Sequence, residues 1–387
     1  MAELVIQGEC DPRFERVRAA FAENFARRNE YGAAVAVYVD GRPVLDLWGG
    51  HADRDRTRQW TGHTIVNLFS TTKGLTAICA HRLVDKGLLD LDAPVALYWP
   101  EFARAGKDQV RVRQLLSHRA GLPALRGKMA DAAIFDWSAM TAALAAEGPW
   151  WSPGNKHGYH ALTFGWLVGE VVRRVSGKTP GRYFRDEIAA PLRLDLHIGL
   201  DARDDARCAQ MIQSPRPPAD QINIFEYAQN NPESVTAKAF FNPAGAMKLG
   251  VVNGRAWRGA EIPGANGHGN ARGLARLYGA LAVGGALDGV RVLEQQALAR
   301  CSTEESSGRD EVLMIPTRFS MGFMLTQPHD PMGPNAHPFG HPGAGGSLGF
   351  ADPEARVGFG YAMNKMGPYI LIDPRARALI EAVYASL

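Results

Sequence analysis

The period of the apolar positions changes several times along the chain, and each change marks an element. Between residues 11 and 29, Phe14, Val17, Ala20, Phe21 and Phe25 recur every three or four positions, which predicts a helix with one apolar face. Asp11 followed by Pro12 fits its N-cap and first turn. Two apolar runs, 33–38 and 43–48, then flank Asp40-Gly41, the pattern of a β-hairpin with a type I′ turn. Helical spacing returns after residue 70. Leu75, Ile78, Cys79 and Leu83 share a face, and Gly87 is a C-terminal stop.

The middle of the chain reads mostly as helices, clearest at 113–117, 141–146, 162–175 and 274–281. Residues 211–269 are rich in Pro, Gly and Asn and read as a long loop region of the kind that lines a pocket. Strand patterns resume at 319–325, 348–351 and 357–363, with Asp352-Pro353-Glu354-Ala355 as a turn between the last two. Residues 375–387 are amphipathic and predict a closing helix. Strands at both ends around a helical middle predict an α/β (α+β) fold. Its sheet domain comes from residues 1–85 and 305–387, and a mainly helical domain, 86–304, is inserted between them. The 387 residues exceed the roughly 250–300 that one core sustains, which agrees with two lobes.

Charge and composition narrow the partners. The formal net charge is +3, with acids and bases interleaved and no Lys/Arg run, so nucleic acid is not an expected partner. No run approaches the roughly 20 apolar residues of a membrane span. Residues 1–9 carry Glu3 and Glu9 where a secretory signal needs a basic start, which points to the cytoplasm. Cys10, Cys79, Cys208 and Cys301 lie far apart, as buried free thiols in a reducing compartment do. His157 and His160 bring no further ligands with them, so no metal and no cofactor are expected. A small molecule remains as the expected partner, with a homo-oligomer also compatible.

Three stretches carry chemistry. Ser70 and Lys73 form the only Ser-x-x-Lys in the chain, and residues three apart on a helix share a face. A serine hydroxyl needs a base to become a nucleophile, and a desolvated lysine can be that base. The same pair also fits a helix cap beside a solvated charge. Tyr159 precedes a helix, where its phenol can hold or relay a proton or simply sit buried. Residues 340–347, Gly-His-Pro-Gly-Ala-Gly-Gly-Ser, form a turn whose backbone can donate to an oxyanion. That run also contains Gly345-Gly346-Ser347-Leu348-Gly349, a match to Gly-x-Ser-x-Gly. The motif needs a strand before its serine and a helix after it. Here a glycine run precedes Ser347 and a strand pattern follows, so Ser347 is the weaker candidate.

The order Ser70-x-x-Lys73, Tyr159, His341-x-Gly343 resembles the serine β-lactamase/penicillin-binding-protein superfamily. It is most similar to family VIII carboxylesterases, which look like class C β-lactamases. The stretches 114–123 (Gln-Leu-Leu-Ser-His-Arg-Ala-Gly-Leu-Pro) and 267–272 (Gly-His-Gly-Asn-Ala-Arg) resemble further landmarks of that group. The resemblance implies a β-lactamase/transpeptidase-like fold, an antiparallel sheet flanked by helices. It implies Ser70 as the nucleophile that forms an acyl-enzyme, with Lys73 and Tyr159 as acid and base. The backbone N–H groups of Ser70 and Ala344 would form the oxyanion hole, and His341 and Gly343 would meet the substrate.

Two positions depart from the pattern. Ala161 stands where β-lactamases carry Asn two residues after the Tyr, and His341 stands where they carry Lys. Both changes favour hydrolysis of neutral short-chain esters over β-lactams. A β-lactamase, D-amino peptidase or acyltransferase on the same scaffold is the enzymatic alternative. A catalytically silent penicillin-binding-like protein is the non-enzymatic one.

Overall fold

In a computed structural model, which describes residues 5–218 and 222–387, the chain opens with strand β1 (Ile6–Cys10) and helix α1 (Glu15–Arg27). Residues 1–4 of the N-terminal stretch and 219–221 of the long loop region lie outside the described residues. The Asp11 side chain accepts a hydrogen bond from Arg13 N, and Pro12 opens a short 3₁₀ turn ahead of α1. The hairpin follows as β2 (Gly32–Val39) and β3 (Arg42–Gly50). Asp40 and Gly41 both take positive φ, 51° and 75°, as a type I′ turn demands. Helix α2 (Thr72–Asp85) starts just after Ser70. Farther on come α3 (Thr163–Ser176) and α4 (Ala271–Ala282).

The chain returns to strands at its end: β4 (Ser306–Arg309), β5 (Pro316–Phe319), β6 (Met324–Leu325), β7 (Phe339–Pro342), β8 (Leu348–Asp352) and β9 (Val357–Met363). Helix α5 (Pro374–Tyr384) closes the fold and packs on α1. The nine strands form one antiparallel sheet in the order β1-β3-β2-β9-β8-β7-β6-β5-β4. The seam between the two ends of the chain is β2–β9, in register from Ala33 opposite Met363 to Val39 opposite Val357. Both strands are buried along their whole length, which explains their small and apolar sequences.

Helix α4 lies in the helical stretch of the sequence, yet it packs on the sheet. Its approach is close because β9 has glycines there. A Cβ on Gly358 would fall 2.1 Å from Gly279 N, and one on Gly360 would fall 2.2 Å from Ala271 O. Helices α2 and α3 pack on each other. This contact brings the residues around Ser70 against those that lead into α3.

Some expected elements differ in detail. Residues 319–325 are not one strand. β5 ends at Phe319, the chain turns through Ser320–Gly322, and Phe319 pairs with Met324 across a tight hairpin. The apolar run there reflects a buried turn, with Met321 and Phe323 both covered. The region 211–269 is not loop throughout. It holds short helices at Ile224–Asn230, Val235–Phe241, Leu249–Val252 and Arg255–Gly259. Asn223 and Ser234 cap the first two with their side chains. Helices of one or two turns are too short to print an apolar period in sequence. Cys79, Cys208 and Cys301 are buried free thiols, whereas Cys10 is only partly covered. Among the described residues, no helix is long and apolar enough to cross a membrane.

Candidate active site

Ser70 does not begin α2 itself. It sits in a 3₁₀ turn, Phe69–Thr71, that leads into the helix. Phe69 has φ 44°, a left-handed conformation that costs energy for a bulky residue. The turn is held from several sides. Leu68 N donates to Gly267 O at 2.7 Å, and Gly267 N donates to Thr72 Oγ1 at 2.8 Å. Thr72 Oγ1 in turn donates to Phe69 O. The landmark around Gly267 therefore serves as the clamp on this turn.

Lys73, one turn into the helix, is fully buried. Its Nζ lies 3.3 Å from Ser70 Oγ and donates to Ala161 O and Gly264 O, both at 2.7 Å. No carboxylate pairs with it among the described residues, and burial holds its pKa well below the usual lysine range. A neutral amine has two N–H groups and one lone pair. The two carbonyls take the N–H groups, which leaves the lone pair for Ser70. Ala161, the residue that replaces Asn, thus supports Lys73 through its backbone.

Tyr159 lies under the same lysine, with Nζ 4.7 Å from the ring centroid. Its ring stacks parallel to Phe319 at 6.1 Å, and its phenol lies toward Ser70. Burial pushes the phenol pKa up, against an opposing pull from Ser70, so the phenol keeps its proton. The backbone under Tyr159 is fixed by residues that sequence reasoning left without a role. Tyr159 N donates to Asp310 Oδ1 at 3.0 Å. The same carboxylate accepts from Val312 N and Leu313 N at 2.8 Å and from Thr317 Oγ1 at 3.1 Å. His160 N donates to His118 Nδ1 at 3.1 Å, and Leu122 N donates to His160 Nε2 at 3.1 Å. His118 and Leu122 belong to the landmark 114–123, and that landmark was the available signal.

The Gly-rich turn after β7 faces the Ser70 turn. A Cβ on Gly343 would fall 2.2 Å from Ser347 Oγ and 2.3 Å from Leu68 O, so only glycine fits between the two turns. Among the described residues, neither Ser70 N–H nor Ala344 N–H has a hydrogen-bond acceptor. Gly345 O is anchored by Arg375 Nη2 at 2.9 Å and by Gly367 N at 2.8 Å, so α5 steadies this turn. Ser347 is fully buried. Its Oγ donates to Leu68 O at 2.8 Å and lies 3.1 Å from Thr71 Oγ1.

His341 is buried, with its ring 5.8 Å from that of Tyr159. Burial brings its pKa down to about 3. The positive charge that a lysine would bring to this position is therefore absent at neutral pH. A separate cavity of 560 Å³ lies among the short helices and is lined by Arg126, Met129, Phe225, Lys238 and Phe241, among others. Ser70 and its partners do not line it.

With this geometry in view, the family model for β-lactamases matches residues 17–382. The chain belongs to the β-lactamase family. It is 40% identical to the esterase/β-lactamase LipL of Mycobacterium tuberculosis over 371 residues, which cover 95% of this chain and 85% of LipL. A family VIII carboxylesterase superposes with a TM-score of 0.91 at 44% identity, covering 99% of this chain and all of the other. A penicillin-binding protein homologue from Caulobacter crescentus gives the same score, identity and coverage. The antiparallel sheet with flanking helices is the fold these relatives share.

Proposed function

We propose that this member of the family is a serine carboxylesterase that cleaves short-chain esters through an acyl-enzyme on Ser70. The observation that carries the proposal is the bonding of Lys73. Two carbonyls saturate its N–H groups 2.7 Å away, and its remaining valence meets Ser70 Oγ at 3.3 Å.

In the reaction, Lys73 takes the Ser70 proton as Oγ attacks the ester carbon. The Ser70 and Ala344 N–H groups receive the developing oxyanion. Tyr159 passes its proton to the departing alkoxide and regains one from Lys73, so the alcohol leaves neutral and the acyl group stays on Ser70. Water then attacks the acyl-enzyme and gives its proton through the same pair to the departing Ser70 Oγ, which restores the hydroxyl and releases the acid. Each half-reaction returns Lys73 to its neutral form.

The neutral His341 supports an ester over a substrate with a free carboxylate, because no cation stands there to meet that charge. A β-lactam substrate is the second reading, favoured by similarity to a protein named esterase/β-lactamase. Buried free thiols suit a reducing compartment and support a cytoplasmic location.

The test is labelling with a fluorophosphonate, followed by mass spectrometry of the labelled peptide, beside a short-acyl ester series and a chromogenic cephalosporin. Label on Ser70 and ester turnover above cephalosporin turnover are expected. Label on Ser347 would overturn the assignment, and faster cephalosporin cleavage would reverse the choice of substrate.

A further inference from the structure

Strand β7 carries His341 past the nucleophile helix. Phe339 of β7 packs edge-on against Phe323 at 5.2 Å, and Phe323 stacks on His81 of α2 at 6.2 Å. Side chains two apart on a strand share a face, so His341 also faces α2 and its Lys73. Its Nδ1 lies 2.7 Å from Pro342 O. A carbonyl only accepts, so Nδ1 carries a hydrogen.

The other ring nitrogen is the unusual one. The residue is 1% exposed, and Nε2 has no hydrogen-bond partner among the described residues. Among the described residues no carboxylate pairs with the ring, and burial disfavours its cation. The ring is therefore neutral. With its hydrogen on Nδ1, its lone pair is on Nε2. A buried acceptor without a donor is costly, and native sites keep one where a ligand supplies the donor. Gly343 and Ala344 come two and three residues after His341, so such a donor sits close to the carbonyl that the Ala344 N–H would hold.

We infer that His341 Nε2 accepts a hydrogen bond from the substrate, and that the preferred substrates are neutral esters bearing an O–H or N–H near the scissile carbonyl. This rests on the acyl-enzyme reading of Ser70 and specifies its substrate class. Lysine at this position would donate and attract an anion, whereas His341 offers a lone pair. A carboxylate, with acceptors only, has nothing to give it. His341 is in this way a specificity-determining residue.

The experiment compares 4-nitrophenyl esters of butanoate, of its 2-, 3- and 4-hydroxy derivatives, of the matching methoxy derivatives and of hemisuccinate. Wild type, His341→Phe and His341→Lys are assayed, each first checked for fluorophosphonate label on Ser70. In wild type, at least one hydroxy ester is expected to exceed its methoxy analogue by about 10- to 100-fold in kcat/KM. His341→Phe removes that preference, and His341→Lys moves it toward hemisuccinate. A labelled wild-type enzyme with a flat series overturns the inference alone, as does a preference that persists in His341→Phe. If the Phe variant takes no label, the wild-type hydroxy-to-methoxy ratio still decides. A wild type that takes no label on Ser70 overturns the acyl-enzyme reading, and the inference with it.

Discussion

Two serines sit on two facing turns, and their surroundings differ in every respect that matters for chemistry. Ser70 is only partly covered, follows a residue with strained φ, and has its hydroxyl beside a buried lysine and a phenol. Ser347 sits in the better-known motif, yet it is fully buried and gives its hydroxyl hydrogen to Leu68 O. A serine's reactivity is set by what its oxygen is bonded to. The Ser347 hydroxyl ties the glycine-rich turn to the Ser70 turn, and this holds the Ala344 and Ser70 N–H groups in a fixed relation. In the function proposed above, Ser70 reacts and Ser347 keeps the turns in place.

The sharpest way to break this contrast is to exchange the losses. Ser70→Ala is expected to lower ester kcat by about 10,000-fold or more and to abolish fluorophosphonate labelling, with little change in melting temperature. Steady-state kinetics beside thermal unfolding measure both sides. Retained turnover would end the case for Ser70.

Lys73→Ala is next, with an expected loss of roughly 100- to 10,000-fold in kcat. The pH profile adds a sign. Burial lowers the Lys73 pKa, and only the neutral amine can take the Ser70 proton. The rate is therefore present above that lowered pKa and is lost as pH falls through it. Lys73→Arg, which stays protonated, is expected to be inactive at every accessible pH. A profile without an acidic limb would contradict a neutral lysine base.

Tyr159→Phe keeps the ring stack on Phe319 and removes only the phenol. A fall of about 100-fold in kcat is expected, and it should shrink for esters whose alcohol is acidic enough to leave without a proton. An equal fall for good and poor leaving groups would take the proton relay away from Tyr159.

Ser347→Ala gives the smallest catalytic effect. It leaves Leu68 O with only the longer bond from Thr71 N, at 3.2 Å, and takes the Ser347 hydroxyl away from Thr71 Oγ1, at a cost of about 1–3 kcal/mol in stability. Thermal or urea unfolding should register that loss, while kcat drops less than about tenfold. A Ser347→Ala enzyme that unfolds normally and has lost its activity would reverse the roles of the two serines.

Much of the fold was legible in local pattern. The Asp40-Gly41 turn, α1, α2 and the last two strands have strong periods or turn residues, and these stand where the pattern places them. The short helices between 224 and 259 were not legible, because one or two turns carry no period and their caps are single side chains. The break between β5 and β6 was hidden because a buried turn is as apolar as a strand. At the site, Ser70, Lys73 and Tyr159 stood out through spacing and order. The carbonyls of Ala161 and Gly264 did not, since any residue supplies a carbonyl. The buried carboxylate of Asp310 also left no mark, as its partners are backbone N–H groups more than a hundred residues away in Tyr159 or next to it in Val312 and Leu313.

The sequence by itself determined the elements that local forces control, the spacing of serine and lysine on one helical face, and the family. The tertiary structure decided which serine is free and, among the described residues, that Lys73 has no counter-charge and that His341 is neutral with an open lone pair. The physical reason is common to all three. Each depends on burial and on partners brought together from distant parts of the chain, and desolvation acts on a group only once the fold has closed around it.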